Sequence, residues 1–136
     1  MKYLRIHRLT ELPDLSGLAP FKAVLSIEEP VSNERQQEIC AWLVGMGCRY
    51  VMVHGQMCRS WCDAVRRANL TAFDIHGMTA GDFVMVVDHQ SESLKAVFWY
   101  ARKFATHPEY NLKECVIVHI GADDRSSEYE SLYYRT

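Results

Sequence analysis

The chain has 136 residues, with 15 Lys and Arg against 17 Asp and Glu, a net charge of −2, and 49% hydrophobic residues. That length suits one domain of common size, and that apolar fraction excludes an intrinsically disordered chain. The slightly acidic balance gives no field for phosphate backbones, which argues against nonspecific nucleic-acid binding.

Residues 1–20 form a lead-in. Lys2, Arg5, His7 and Arg8 are interleaved with its apolar residues, so it has neither the continuous apolar core nor the small-residue cleavage site of a secretory signal. No run approaches the ~20 apolar residues of a membrane span. A cytoplasmic protein is expected, with its odd count of five cysteines as free thiols. Cys40 and Cys115, inside apolar runs, fit burial best. Tyr3, Leu4 and Ile6 can add an edge strand before Pro13, Gly17 and Pro20 punctuate the loop.

Phe21–Ile27 reads as a nearly continuous apolar strand, as expected where both faces are covered, and Glu28, Glu29 and Pro30 end it. Ser32 or Asn33 caps a helix to about Met46, with Gln36 in the capping-box position relative to Asn33. Ile39, Cys40, Leu43 and Met46 recur at helical spacing, and Gly45 and Gly47 supply the stop. Residues 48–53 are the second buried strand. A polar turn (His54, Gly55, Gln56) leads into an amphipathic helix from about Cys58 with Trp61, Val65 and Ala68 inward. Residues 69–80 are a polar connection holding Asp74, His76 and Gly77.

Residues 83–87 are the third buried strand, ending at Asp88 and His89. Ser91 or Ser93 caps a third helix with Leu94, Val97, Phe98, Ala101, Phe104 and Ala105 on its apolar face. His107 and Pro108 close it, with the imidazole as a C-terminal cap on the helix dipole. Residues 115–120 are the fourth buried strand, and Gly121 ends it. Residues 121–136 form a polar, tyrosine-rich tail, either disordered or laid over the sheet edge.

Four buried strands alternating with three helices predict a single α/β domain over residues 1–136. The expected architecture is three layers, α/β/α, around a four-stranded mainly parallel sheet. Its buried strands run in the order 2-1-3-4, joined by right-handed crossovers, with the N-terminal segment as an extra edge strand.

Ligands of open parallel sheets bind beyond the carboxyl ends of the strands. Those ends carry Glu28 and Glu29, His54 and Gln56, Asp88 and His89, then Gly121 and Asp123, with His119 one residue inside. His54, Asp88 and His89 are the candidates for acid–base or metal chemistry, and with a glutamate they offer nitrogen and oxygen ligands. No short metal-binding spacing and no Gly-rich phosphate loop accompanies them, so neither a metal nor a cofactor is expected. Cys58 lies near a helix N-terminus, where the dipole lowers a thiol pKa, and His54 stands four residues upstream as a candidate base. The phosphatase pattern of Cys, five residues and Arg fails at Ala64. Cys58 and Cys62 share the inward side marked by Trp61 and Val65, which favours structural thiols. Arg59, Arg66 and Arg67 with Asp63 read as a solvated face, and Trp42, Trp61 and Trp99 as packing residues.

The tail sets Tyr129, Tyr133 and Tyr134 among Asp123, Asp124, Glu128 and Glu130. Tyrosine favours protein interfaces, and surrounding carboxylates steer a basic partner.

Cys58, Ser60, Trp61, Asp63, Ala68, Asn69 and Leu70 resemble the signature of a bacterial family of unknown function. Asp82-Phe83-Val84-Met85, Val97-Phe98-Trp99, His107-Pro108 and residues 116–120 resemble its later segments, so the resemblance covers about residues 21–120. It implies one small cytosolic domain and supplies no activity or catalytic residue. The expected function is a non-enzymatic protein-binding domain, concretely an immunity or antitoxin-type inhibitor of a bacterial toxin with a basic surface. The alternatives are a small enzyme, a hydrolase or transferase working through His54, Asp88, His89 or Cys58, and a self-associating homodimer.

Overall fold

The computed structural model describes residues 1–73 and 77–136, so Asp74 and His76 of the polar connection lie outside the described residues. The apolar runs become strands β1 (Lys2–Ile6), β2 (Phe21–Ile27), β3 (Cys48–Gly55), β4 (Met85–Asp88) and β5 (Glu114–Ile120). The helices are α1 (Asn33–Gly45), α2 (Cys58–Ala72), α3 (Leu94–Lys103) and α4 (Ser126–Tyr134). All strand pairs are parallel, in the order β1-β5-β2-β3-β4. The architecture is the expected α/β, with the N-terminal segment as the fifth, edge strand and one strand in a different place. The strand of residues 83–87 was expected between β2 and the strand of residues 115–120; it lies at the far edge beside β3 instead, so β5 pairs directly with β2.

Helix placement gives the physical reason. Alternation along each strand sends Ala23, Leu25, Ile27, Val51, Val53, Val116 and Val118 to one face, where α1 and α2 cover them with Ile39, Leu43, Trp61 and Val65. Val24, Tyr50, Met52 and Ile117 face the other way, onto Val97, Phe98 and Ala101 of α3 and Tyr129 and Tyr133 of α4. The chain grows outward from β2 to β4 with its crossovers on the first face. It returns through α3 on the second, and a right-handed return on that face places β5 on the far side of β2. Each core excludes water from side chains worth roughly 1.5–3 kcal/mol apiece when fully buried.

The lead-in crosses the first face, burying Leu15, and its Pro13 carbonyl accepts a 2.7 Å hydrogen bond from Trp42 Nε1. Ser32 alone caps α1, accepting from Arg35 N at 3.1 Å. The expected capping box does not form, because Gln36 is buried and donates to Ser60 Oγ at 3.1 Å. Gly55 ends β3 with φ of 102°, and a Cβ there would lie 2.1 Å from the Ile27 carbonyl oxygen, so only glycine fits. Ser93 caps α3 through Ala96 N.

Three packing expectations change. Phe83 precedes β4 and is 49% exposed, and Trp99 is 48% exposed, with its ring against that of Phe104 rather than in the core. His107 is buried but does not cap α3. Its Nδ1 accepts from Glu109 N and its Nε2 therefore donates to the Phe83 carbonyl at 2.8 Å, tying the loop after α3 to the segment before β4. The tail is a helix laid across the sheet.

Candidate functional site

Outward growth from β2 and the return to β5 make the junction of those two strands the topological switch point, the usual ligand crevice of such sheets. Ser26 and His119 are register partners there, the polar positions at the carboxyl ends of two mostly apolar strands, and both face α4. Glu28 follows β2, and α4 brings Arg125 and Tyr129 over the pair.

The contacts form one connected network. Arg125 N donates to Tyr3 Oη at 3.0 Å, so the Tyr3 hydroxyl is free to donate to His119 Nδ1 at 2.6 Å. That fixes the remaining ring hydrogen on Nε2, which lies close against Glu28 Oε1, out of line for a hydrogen bond. Tyr129 donates to the same oxygen at 2.8 Å, and its hydroxyl pairs with Ser26 Oγ at 2.8 Å. Arg125 Nη1 adds a 2.7 Å bond to Glu28 Oε1, while its other nitrogens hold Glu128. The guanidinium lies 5.1 Å over the Tyr129 ring. Gly121 is required next to this ring, since a Cβ would fall 2.5 Å from His119 Nε2.

Charge follows from these contacts. Burial pushes the His119 pKa down, Glu28 opposes that, and Arg125 and Arg5 add to it, so the imidazole is held neutral. Burial opposes ionisation of Glu28, but the bonds from Tyr129 and Arg125 and the charge of Arg125 outweigh it, leaving the carboxylate below its ordinary range. Burial likewise raises the Tyr129 hydroxyl. The result is a neutral imidazole, 1% exposed, locked against a carboxylate. His119 has no face open to a substrate, so this network latches α4 to the sheet.

On the α1 side the crevice stays open as a cleft of about 490 Å³, where Arg5, His7 and Arg8 face Glu29, Pro30 and Val31. The side chains at the other strand ends gather in two separate groups, His54 and His89 around Glu92 on one face and Asp88 with Cys58 on the other. Asp88 and His89 are consecutive and so project to opposite faces of the sheet. His89 Nδ1 bonds Glu92 Oε2 at 2.8 Å, and His54 Nε2 bonds the Glu92 carbonyl at 2.9 Å, both on the α3 face. Asp88 faces α2 with Cys58 and Cys62. Burial pushes both thiols up to about 11, with the Asp88 carboxylate adding to it, so the expected dipole-lowered Cys58 is the reverse of what the fold gives. His54 lies across the sheet from Cys58 and cannot act as its base. All five cysteines are free and buried. Among the described residues no group of three or more His, Cys, Asp or Glu is placed to hold a metal ion. No helix among them is long and apolar enough to cross a membrane.

The tail residues divide. Tyr129 is fully buried and Tyr133 nearly so, which removes both from any contact surface in this fold. Asp123, Asp124, Glu128, Glu130 and Tyr134 are exposed, Tyr134 at 61%. Tyr3, Ser26 and Arg125 were absent from the residues singled out in the sequence. The signal for Ser26 was its polarity inside an apolar strand, and nothing local marked Tyr3 or Arg125.

The chain belongs to the family described as Domain of unknown function (DUF7684), whose model matches residues 1–136. No curated protein and no solved structure matches it.

Proposed function

We propose that this member of the family is a non-enzymatic protein-binding domain whose contact surface is the acidic rim beside and along α4. The supporting observation is the latch: α4 is pinned by Glu28, Ser26 and Arg125, so it presents Asp123, Asp124, Glu130 and Tyr134 outward on a rigid support. Rigid carboxylates around an exposed tyrosine suit a basic partner, since they speed encounter and lose little side-chain entropy on docking. The concrete form is an immunity or antitoxin-type inhibitor that covers the basic site of a bacterial toxin, acting in the cytoplasm. The enzyme reading loses support from the separation of Asp88 and Cys58 from His54 and His89, because acid–base partners must lie within hydrogen-bond reach of a shared reacting atom.

Affinity capture from native lysate, comparing the wild-type chain with an Asp124→Lys, Glu130→Lys, Tyr134→Ala variant, tests this reading. A basic protein held by the wild type, released by salt and lost from the variant is the expected outcome. Equal retention by the variant, or stoichiometric metal bound to the purified protein and removed by His54→Ala with His89→Ala, would overturn it. Light scattering on the same samples distinguishes a heteromeric partner from a second copy of the chain.

A further inference from the structure

The two edges of the sheet are finished differently. β1 sets Lys2 and Arg5 along one edge, and charges of that kind keep a strand edge from pairing with other chains. β4, at the other edge, reads Met85-Val86-Val87 before Asp88, with no lysine and no proline. Among the described residues no strand pairs with its outer side.

Two contacts give the direction of the β4 backbone. His89 N donates to the Val53 carbonyl at 2.8 Å and continues the ladder to β3. In a parallel pair alternate residues bond the neighbour, so Met85 and Val87 turn to β3, and the N–H and C=O groups of Val86 and Asp88 turn outward. Val84 N has the same outward sense and is already closed by Asn69 Oδ1 at 3.1 Å. Between α2 and this edge lies an apolar groove of about 370 Å³, lined by Leu70, Met78, Phe83 and Val86 among others. Leu70 and Phe83 are about half exposed. Arg66 is the one charged residue of that lining, and its ion pair is a 3.4 Å contact with the equally exposed Asp63.

We propose that β4 pairs antiparallel with β4 of a second copy of the chain, joining two sheets across a two-fold axis perpendicular to them. Outward ladder groups call for an extended backbone as their occupant. Register and charge select a second copy. The Asn69 bond takes Val84 out of the ladder, so the groups left to pair are those of Val86 and Asp88. They satisfy each other when Val86 of one copy faces Asp88 of the other, with the axis at Val87. Such an axis keeps the faces of the two sheets continuous. Asp88, exposed on the α2 face, then lies across from Val86 of the second copy, at the groove lined by that copy's Arg66. Symmetry makes this carboxylate–guanidinium pairing twice. The acidic rim lies toward β1 at the far edge, where Tyr3 meets Arg125. The dimer therefore leaves both rims free and does not depend on the protein-binding reading.

Sedimentation velocity of the whole chain over a range of concentrations tests this assignment. The contact is small, so a reversible dimer that dissociates at micromolar concentration is expected. Val86→Pro deletes an outward N–H and no bond to β3, a position where edge strands accept proline, and should leave a folded monomer. Arg66→Asp and Asp88→Arg should each weaken the dimer about tenfold or more, and the two together should regain most of that loss. These reversals at exposed positions carry the test if Val86→Pro does not fold. Val87→Cys should cross-link two copies under mild oxidation, because opposed residues of a non-hydrogen-bonded pair have Cα atoms about 4.5 Å apart, within disulfide reach. Val86→Cys, opposite Asp88, should not. The five native thiols are buried and do not compete. A chain that stays monomeric on its own, even one that takes up a strand of another protein, overturns the assignment. So does a dimer unmoved by these substitutions, or equal cross-linking of the two cysteine variants. The rim variant should dimerise like the wild type.

Discussion

β2 carries two buried polar positions on the same face, Lys22 near its start and Ser26 near its end, with Glu28 just beyond. At the carboxyl end, Glu28 Oε1 is met by Tyr129, Arg125 and His119, and Ser26 shares the Tyr129 hydroxyl. At the amino end, Lys22 is 8% exposed, yet its Nζ is not among the buried polar atoms that lack a partner, so its stem is buried and its head meets water. The two ends treat a polar side chain in opposite ways. A satisfied network rigidifies what it joins, which is why the switch-point cluster reads as a latch on α4. A lysine that carries its head to solvent joins no second element, so the amino end of β2 has no such latch.

The largest effect expected at the satisfied end comes from Tyr129→Ala. It empties a fully buried position and strips Glu28 of a donor and Ser26 of its acceptor, so a loss of about 3–5 kcal/mol is expected. Denaturant unfolding gives the size of that loss, and amide exchange should show α4 released ahead of the sheet. A loss below about 1 kcal/mol would mean that α4 contributes little to the fold and that the latch reading is wrong. Gly121→Ala should act through His119, because its Cβ meets Nε2 at 2.5 Å. Displacing a ring so enclosed is expected to lower stability by about 1–3 kcal/mol, and the same substitution at the exposed Gly45 should not.

The smallest effect is in the pH dependence. His119 resists protonation when folded, so as pH falls through its ordinary value of 6.5 the unfolded chain gains a proton the folded chain does not. Glu28 resists protonation when folded, so the same imbalance recurs below its ordinary value of 4.5. In both steps the unfolded state binds more protons, so stability should fall steadily on acidification from neutral pH. Glu28→Gln should flatten the lower step and enlarge the upper one, because Glu28 is what opposes the fall in the His119 pKa, and urea midpoints measured across that range would show both. A midpoint that rises with acid would contradict the charge states assigned to the network.

Much of the fold could be read from local pattern, because hydrophobic periodicity depends only on which faces of a segment are covered. Phe21–Ile27 and the start of α2 at Cys58 were found this way, and Ser93 was one of two serines offered as the α3 cap, whereas α2 runs on to Ala72 through residues read as a polar connection. Periodicity also explains the misses. It cannot say on which side of a strand the next one pairs, so β4 was placed between β2 and β5 rather than at the edge beside β3. It could not separate a tyrosine that packs from one that recognises a partner, so Tyr129 and Tyr133 were read as interface residues. Both are buried because α4 turns them toward Phe98, with ring centroids 5.8 and 5.7 Å away.

The sequence by itself determined the class of the fold, the parallel strands and the buried free thiols, since each depends on composition and spacing along a short stretch of chain. Tertiary structure alone decided that Asp88 and His89 separate to opposite faces, and that Tyr3, His119, Glu28 and Arg125 meet from distant parts of the chain. These are contacts between segments far apart in sequence, set by the direction in which α3 returns across the sheet and by where α4 comes to rest, and no local pattern encodes either.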